Sequence, residues 1–112
     1  MKKIEVIIRP GKLEELKAEL DKVNVRGMTV YDVKGRGLQK GEKQYYRGQE
    51  HANDLISKIK VEIVCSDKSI EDIISTILKV CKTGKIGDGK IFVYPVERVI
   101  RISSREEGEA AL

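Results

Sequence analysis

The chain has no tryptophan, one phenylalanine and four tyrosines in 112 residues. Modules that read single-stranded RNA stack bases on aromatic side chains, so this scarcity argues against nucleic-acid binding. Histidine occurs once, at His51, and no Ser-His-Asp or Cys-His grouping accompanies it. Nor is there a paired-carboxylate acid and base set, so catalytic machinery is not visible. The two cysteines, Cys65 and Cys81, lie in apolar runs without CxxC spacing. Neither a metal nor a redox motif is present, and both are expected to be reduced core residues of a cytosolic protein. No apolar run approaches the ~18 residues that a membrane span needs. Met1-Lys2-Lys3-Ile4 runs directly into an alternating pattern without the apolar region of a secretory signal, so a cytoplasmic location is expected.

What the chain has in quantity is charge of both signs. Lys and Arg number 22 and Asp and Glu 18, a net charge of +4. The signs are interspersed, which describes a solvated surface with a mild bias toward anionic ligands. Apolar residues make up 40% and recur too regularly for a disordered chain. At roughly 100–200 residues per domain, the chain is one domain spanning 1–112. A domain this small buries only about two-thirds of its surface, and oligomerisation would bury more.

Residues 2–9 alternate, with Ile4, Val6 and Ile8 on one face, as in a half-buried strand. Pro10-Gly11 ends it. Leu13, Leu16, Leu20 and Val23 follow at helical spacing, with Asn24 as the helix end. Residues 28–35 and 57–65 again read as strands. Ser66 and Ser69 offer capping hydroxyls to a helix striped by Ile70, Ile73, Ile74, Ile77, Leu78 and Cys81. Residues 90–94 make a fourth strand, interrupted at Pro95, and the β pattern resumes over 96–102. Residues 103–112 are a polar, Glu-rich tail. The order β-α-β, insertion, β-α-β predicts an α+β, ferredoxin-like sheet with both helices on one face. Its other face would carry Val30 or Tyr31, Val64 and Val99, uncovered, which points to self-association.

Two segments exceed what this fold needs. Residues 38–56 are polar, contain Gly41 and Gly48 and show no sustained periodicity. Connections are usually ~4–6 residues, so this reads as a long, mobile, exposed loop that contacts a partner through Tyr46 and Arg47 near its tip. Residues 83–90 read TGKIGDGK. The letters match a P-loop up to the lysine, but a helix precedes, a strand follows, and Ile91 stands where Ser or Thr is required. The Walker assignment fails, yet glycine-loop amides flanked by Lys85 and Lys90 still suit an oxyanion. A second glycine cluster, Gly35-Arg36-Gly37, leaves the second strand. Together with Arg98, Arg101 and Arg105 these loops could enclose a polyanionic small molecule. A small phosphate-handling enzyme is the competing reading of TGKIGDGK.

The segments KKIEVIIRPGKLEELKAEL, GMTVYDVKGRGLQKG, YRGQE and TGKIGDGKIFVYPVERVIRI cover nearly the whole chain. In them the sequence resembles the PII family of nitrogen-regulatory signal transducers. The resemblance implies a compact homotrimer of ferredoxin-like subunits that is not an enzyme. It implies ATP or ADP in clefts between subunits, and 2-oxoglutarate bound beside Mg²⁺ and ATP. The long loop would then dock on a target, foremost an ammonium transporter, which would supply the only membrane association. A nitrogen-metabolism enzyme such as nitrogenase or glutamine synthetase is the alternative target.

Carried over by position, the resemblance places Gly35 and Gly37 against the nucleotide and Thr29 and Val64 in the adenine pocket. It gives Gly87, Asp88 and Gly89 the backbone of the phosphate loop, with Lys90 and Arg101 pairing with phosphates. Gln39 would hold Mg²⁺ together with the phosphates and 2-oxoglutarate. Lys58 would pair with the far carboxylate, helped by the backbone of Lys40 and Gly41. Arg47 would insert into the transporter pore. Four positions depart from the family's habit. His51 stands where many relatives carry a modified tyrosine, and Gln49 where some carry a phosphorylated serine, so no modification is expected. Leu38 and Ser103 replace arginines that usually touch phosphates, which bears on affinity and on the ATP/ADP preference.

Overall fold

A computed structural model describes residues 1–37, 43–46, 49–52 and 55–112, the two middle stretches as backbone alone. Strand β1 (Lys2–Ile8) buries Ile4, Val6 and Ile8 almost completely. A 3-10 turn over Pro10–Lys12, with proline at its first position, leads into α1 (Leu13–Lys22). Glu14 and Glu15 in the first turn and Lys22 in the last match the helix dipole. Asn24, at φ 63°, closes α1 as the sequence predicts. The N–H of Val25 reaches the Leu20 carbonyl and that of Asn24 the Asp21 carbonyl, a Schellman end.

Strands β2 (Thr29–Gly35), β5 (Ile56–Cys65) and β6 (Ile91–Pro95) join β1 in one four-stranded sheet. Its order is β2-β5-β1-β6, and every neighbouring pair is antiparallel. This is the predicted β-α-β-β-α-β topology. Helix α2 (Ile70–Cys81) buries Ile73, Ile77, Val80 and Cys81. These residues, Leu16 and Leu20 of α1, and Ile4, Val6, Val61 and Ile63 of the sheet form one core cluster, so both helices cover the same sheet face. Cys65 and Cys81 are free thiols in that core, and burial pushes the Cys81 thiol up to about 11.

The structure corrects the sequence reading in five places. Leu78 is 53% exposed, and Val80 takes its place in the α2 stripe. The Ser66 and Ser69 hydroxyls cap no helix; they bond to each other at 3.1 Å, because a 3-10 turn over Asp67–Ser69 already precedes α2. Residues 96–102 form no strand. The N–H of Val96 reaches the Met1 carbonyl, and beyond that point β6 has run off the end of its partner β1. The chain turns back instead, bridging Ile100 to Glu107, so Val99 is not on the sheet.

Within 38–56, read from sequence as a loop without regular structure, β3 (Lys43–Tyr46) and β4 (Gln49–Ala52) pair antiparallel. Tyrosine favours strands, and two residues separate the paired Tyr46 and Gln49, a spacing that suits a tight hairpin.

The fifth correction concerns the open sheet face, where Val30 or Tyr31 is expected. The register puts Tyr31, Phe92 and Tyr94 on the open sheet face, beside Lys3, Glu5, Lys60, Glu62 and Val64. Val30, the other candidate, pairs with Val61 on the helix side. This face is no base-stacking platform. Lys60 lies 4.5 Å from the Tyr31 ring centroid, Lys3 5.5 Å from that of Tyr94, and Lys3 pairs with Glu62 at 2.9 Å. Glu5 stands opposite both Glu62 and Phe92, where its charge opposes phosphate.

Leu16→Ala is expected to cost about 2–5 kcal/mol in denaturant unfolding. Leu78→Ala, on the exposed side of α2, is expected to stay within about 0.5 kcal/mol of the unaltered chain.

Candidate functional site

At one end of the sheet, β1 and β2 finish, β5 begins, and the 83–90 segment returns from α2 to β6. The β1 backbone fixes that segment. The N–H of Ile7 donates to the Lys90 carbonyl at 3.1 Å. Gly89, at φ 92°, lies so close that a Cβ there would be 1.7 Å from the Ile7 carbonyl oxygen. Only glycine satisfies both the angle and the contact.

Asp88 organises the rest of the loop from within. Its Oδ2 accepts the N–H groups of Thr83 at 2.8 Å and Gly84 at 2.9 Å. Its Oδ1 accepts the Thr83 hydroxyl and, at 3.3 Å, Nε of Arg9. The Thr83 hydroxyl, the Thr83 and Gly84 amides and Arg9 hold the Asp88 carboxyl well below the usual carboxylate range.

Two cations draw successive carbonyls of the loop. Arg9 Nη2 donates to the Ile86 carbonyl at 2.7 Å, and Lys58 Nζ to that of Gly87 at 2.6 Å. The peptides are trans, so the Gly87 and Asp88 N–H groups point away from those cations. Lys58 is 9% exposed, and burial, then the neighbouring Arg9, lower its amine below the usual lysine range.

Beside the loop lies a cleft of about 560 Å³. It gathers Gly35, Gly37, Lys58, Gly87, Asp88, Gly89 and Lys90 of the predicted set, with Arg36 and Lys85 at its walls. Such a concentration of cations and loop backbone fits a small polyanion.

Three predicted residues lie elsewhere in the subunit. Thr29 pairs with Glu62 and Val64 with Lys3, at the far end of the sheet from the Gly35–Ile56 pair. Thr29 lies six residue steps along β2 from Gly35, about 20 Å at ~3.4 Å per step. Arg101 sits in the tail, donating to the carbonyls of Ala111 and Leu112 at 3.4 and 3.2 Å. Leu38, Gln39, Lys40, Gly41 and Arg47 lie outside the described residues; Tyr46, Gln49 and His51 are described as strand backbone. Ser103 is exposed in the tail turn.

Sequence reasoning missed Arg9 and Thr83. Their signals were an arginine directly before the Pro10-Gly11 break, whose partner lies across the fold, and a hydroxyl opening the glycine loop, whose partner lies within that loop. Among the described residues, no group of three His, Cys, Asp or Glu side chains is placed to hold a metal.

Two outcomes are expected of the loop. Gly89→Ala forces the Ile7 strand end to move and lowers the melting temperature sharply, an effect of at least about 2 kcal/mol. Because the Asp88 carboxyl is depressed in the folded state, its contribution to stability is present above the ordinary carboxylate range and lost as pH falls. Asp88→Asn should therefore melt lower at pH 7 and lose less on acidification between about pH 5 and pH 3, read by thermal melts across pH.

Comparison with known proteins places the chain in a family. The family profile "Nitrogen regulatory protein P-II" matches residues 1–106. The nitrogen regulatory protein P-II of Pasteurella multocida is 52% identical over 112 residues, and that of Pyropia yezoensis 54%, each covering 100% of both chains. The nitrogen regulatory protein P-II 1 of Escherichia coli strain K12 is 50% identical over the same span. A chain matched end to end at this level belongs to the nitrogen regulatory P-II family, and is a regulator of nitrogen metabolism rather than an enzyme.

Proposed function

We propose that the protein senses ATP or ADP together with 2-oxoglutarate, and reports their levels to a target through residues 38–56. The observation that carries this reading is the cleft. It joins the Gly35–Gly37 strand end, the Gly87–Lys90 loop and Lys58 in one cationic space. The phosphates would lie along the loop, with Lys90 as their counter-charge. A carboxylate would pair with Lys58, whose charged form is made costly by burial and then by Arg9. Mg²⁺ would be held by phosphate oxygens, Gln39 and 2-oxoglutarate, a hard-oxygen set suited to that ion. Lys40 and Gly41 would add backbone to the dicarboxylate site.

The proposed assembly is a homotrimer. The separation of Thr29, Val64 and Arg101 from the cleft supports it, because a neighbouring copy could supply them to a shared nucleotide site. The open sheet face, with Tyr31, Phe92 and Tyr94 each more than 40% exposed, supplies surface for self-association. The protein would work in the cytoplasm; among the described residues no helix is long and apolar enough to cross a membrane. An ammonium transporter is the proposed target, contacted by Tyr46 and Arg47. Ligands shift the loop only through unequal affinity for its two states. With His51 at the usual tyrosine position, control rests on ligands rather than covalent modification.

Calorimetric titration with ATP and Mg²⁺, with and without 2-oxoglutarate, tests this. Tight ATP binding that 2-oxoglutarate requires is the expected result. Lys90→Ala should weaken ATP by at least about tenfold, the scale of one lost charge-assisted contact, while the sedimentation mass stays that of a trimer. Unweakened binding in that variant, or no nucleotide binding by the unaltered chain, overturns the proposal.

A further inference from the structure

We infer that Arg9, Thr83 and Asp88 are positioning residues for anion binding by the glycine loop, acting on its backbone and not on the ligand. The inference rests on the phosphate-loop reading above.

A carboxylate between two glycines of such a loop is at first sight misplaced, since it would repel the anion. Asp88 avoids this because both its oxygens are engaged within the loop and by Arg9. Four donors meet the one side chain: the Thr83 hydroxyl, the Thr83 and Gly84 amides, and the Arg9 guanidinium. Its charge is matched by a cation, and its side chain is turned from ligand chemistry to loop geometry.

Arg9 grips the same loop twice, through Asp88 and through the Ile86 carbonyl on the other side of Gly87. It does so from the end of β1, which the sheet holds on both edges. Thr83 completes the brace: its hydroxyl also accepts the Lys85 N–H at 3.2 Å. Gly84, Gly87 and Gly89 all have positive φ, and glycine contributes no side-chain packing to hold such a path. The brace supplies that constraint, and fixes which way the Gly87 and Asp88 N–H groups face.

The sign of one substitution decides the matter. Were Asp88 simply a charge beside the anion, Asp88→Asn would tighten ATP binding. As a brace, its loss must weaken binding, because asparagine keeps one acceptor oxygen, so either the Thr83 and Gly84 amides or Arg9 faces an NH₂ that cannot accept. The test uses the full chain with Asp88→Asn, Thr83→Val, Thr83→Ser, Arg9→Gln and the Arg9→Gln/Asp88→Asn double variant. Hydrogen exchange over residues 83–90 and calorimetry with ATP, with and without Mg²⁺, are the readouts.

Faster exchange confined to the loop is expected for Asp88→Asn and Thr83→Val, with β1 and β5 as protected as before. ATP should weaken about tenfold in both, whether or not Mg²⁺ is present. Thr83→Ser should behave as the unaltered chain, and the double variant should be little worse than the worse single one. Unchanged loop exchange, tighter ATP binding by Asp88→Asn, or a loss seen only with Mg²⁺ overturns the inference, the last by making Asp88 a metal ligand. Absence of ATP binding by the unaltered chain overturns instead the nucleotide reading on which the inference stands.

Discussion

Ile7 ties the glycine loop to the sheet, and the geometry of the site follows from that contact. Its N–H is bonded to Lys90, and its carbonyl lies where any side chain at residue 89 would have to be. β1 is an inner strand with partners on both edges, so it is the least movable element available as a foundation. The loop leaving α2 must cross it at van der Waals distance to become β6. That crossing brings the loop beside the end of β2 and the start of β5, and a cleft forms where four elements meet. The core sets the position of β1 in turn, because Ile4, Val6 and Ile8 are locked under the two helices.

Electrostatics then give the cleft its preference. Arg9, Arg36, Lys58, Lys85 and Lys90 gather in and beside a cleft whose one carboxylate among the described residues, Asp88, is engaged by the loop's own donors and Arg9. Burial, and after it the neighbouring Arg9, lower the Lys58 amine below the usual lysine range.

The open sheet face obeys a different logic. Tyr31 lies against Lys60 and Tyr94 against Lys3, and Lys3 is paired with Glu62, so these side chains are linked across the strands. Tyr31 and Lys3 both bond Glu62, which lowers the Glu62 carboxyl, with Lys3 the stronger cause. Beyond Val96 the chain has no strand left to pair with, and Ile102 stands 97% exposed.

Much of this was legible in the residues themselves. Alternation in β1 and β5, the α1 and α2 stripes and the Asn24 helix end are local signals, fixed by side-chain period and by backbone preference at one position. The glycine loop was legible too, since its composition admits little else. The paired strands within 38–56 escaped because four-residue strands carry too short a period to stand out. The strand expected over 96–102 failed because pattern does not reveal whether a partner strand remains. Arg9 escaped because its role depends on a residue far along the chain, Asp88 lying 79 positions away; Thr83 escaped because only the folded loop turns the Asp88 side chain back onto it. Sequence alone determined β1, β2, β5, β6, the two helices, their order and the glycine-rich, basic make-up of the loop, for those are properties of neighbours. Tertiary structure alone decided that Arg9 and Lys58 face the loop carbonyls, that Asp88 is bound inward, and that Thr29 and Val64 lie far from Gly35, for those depend on strand order and register.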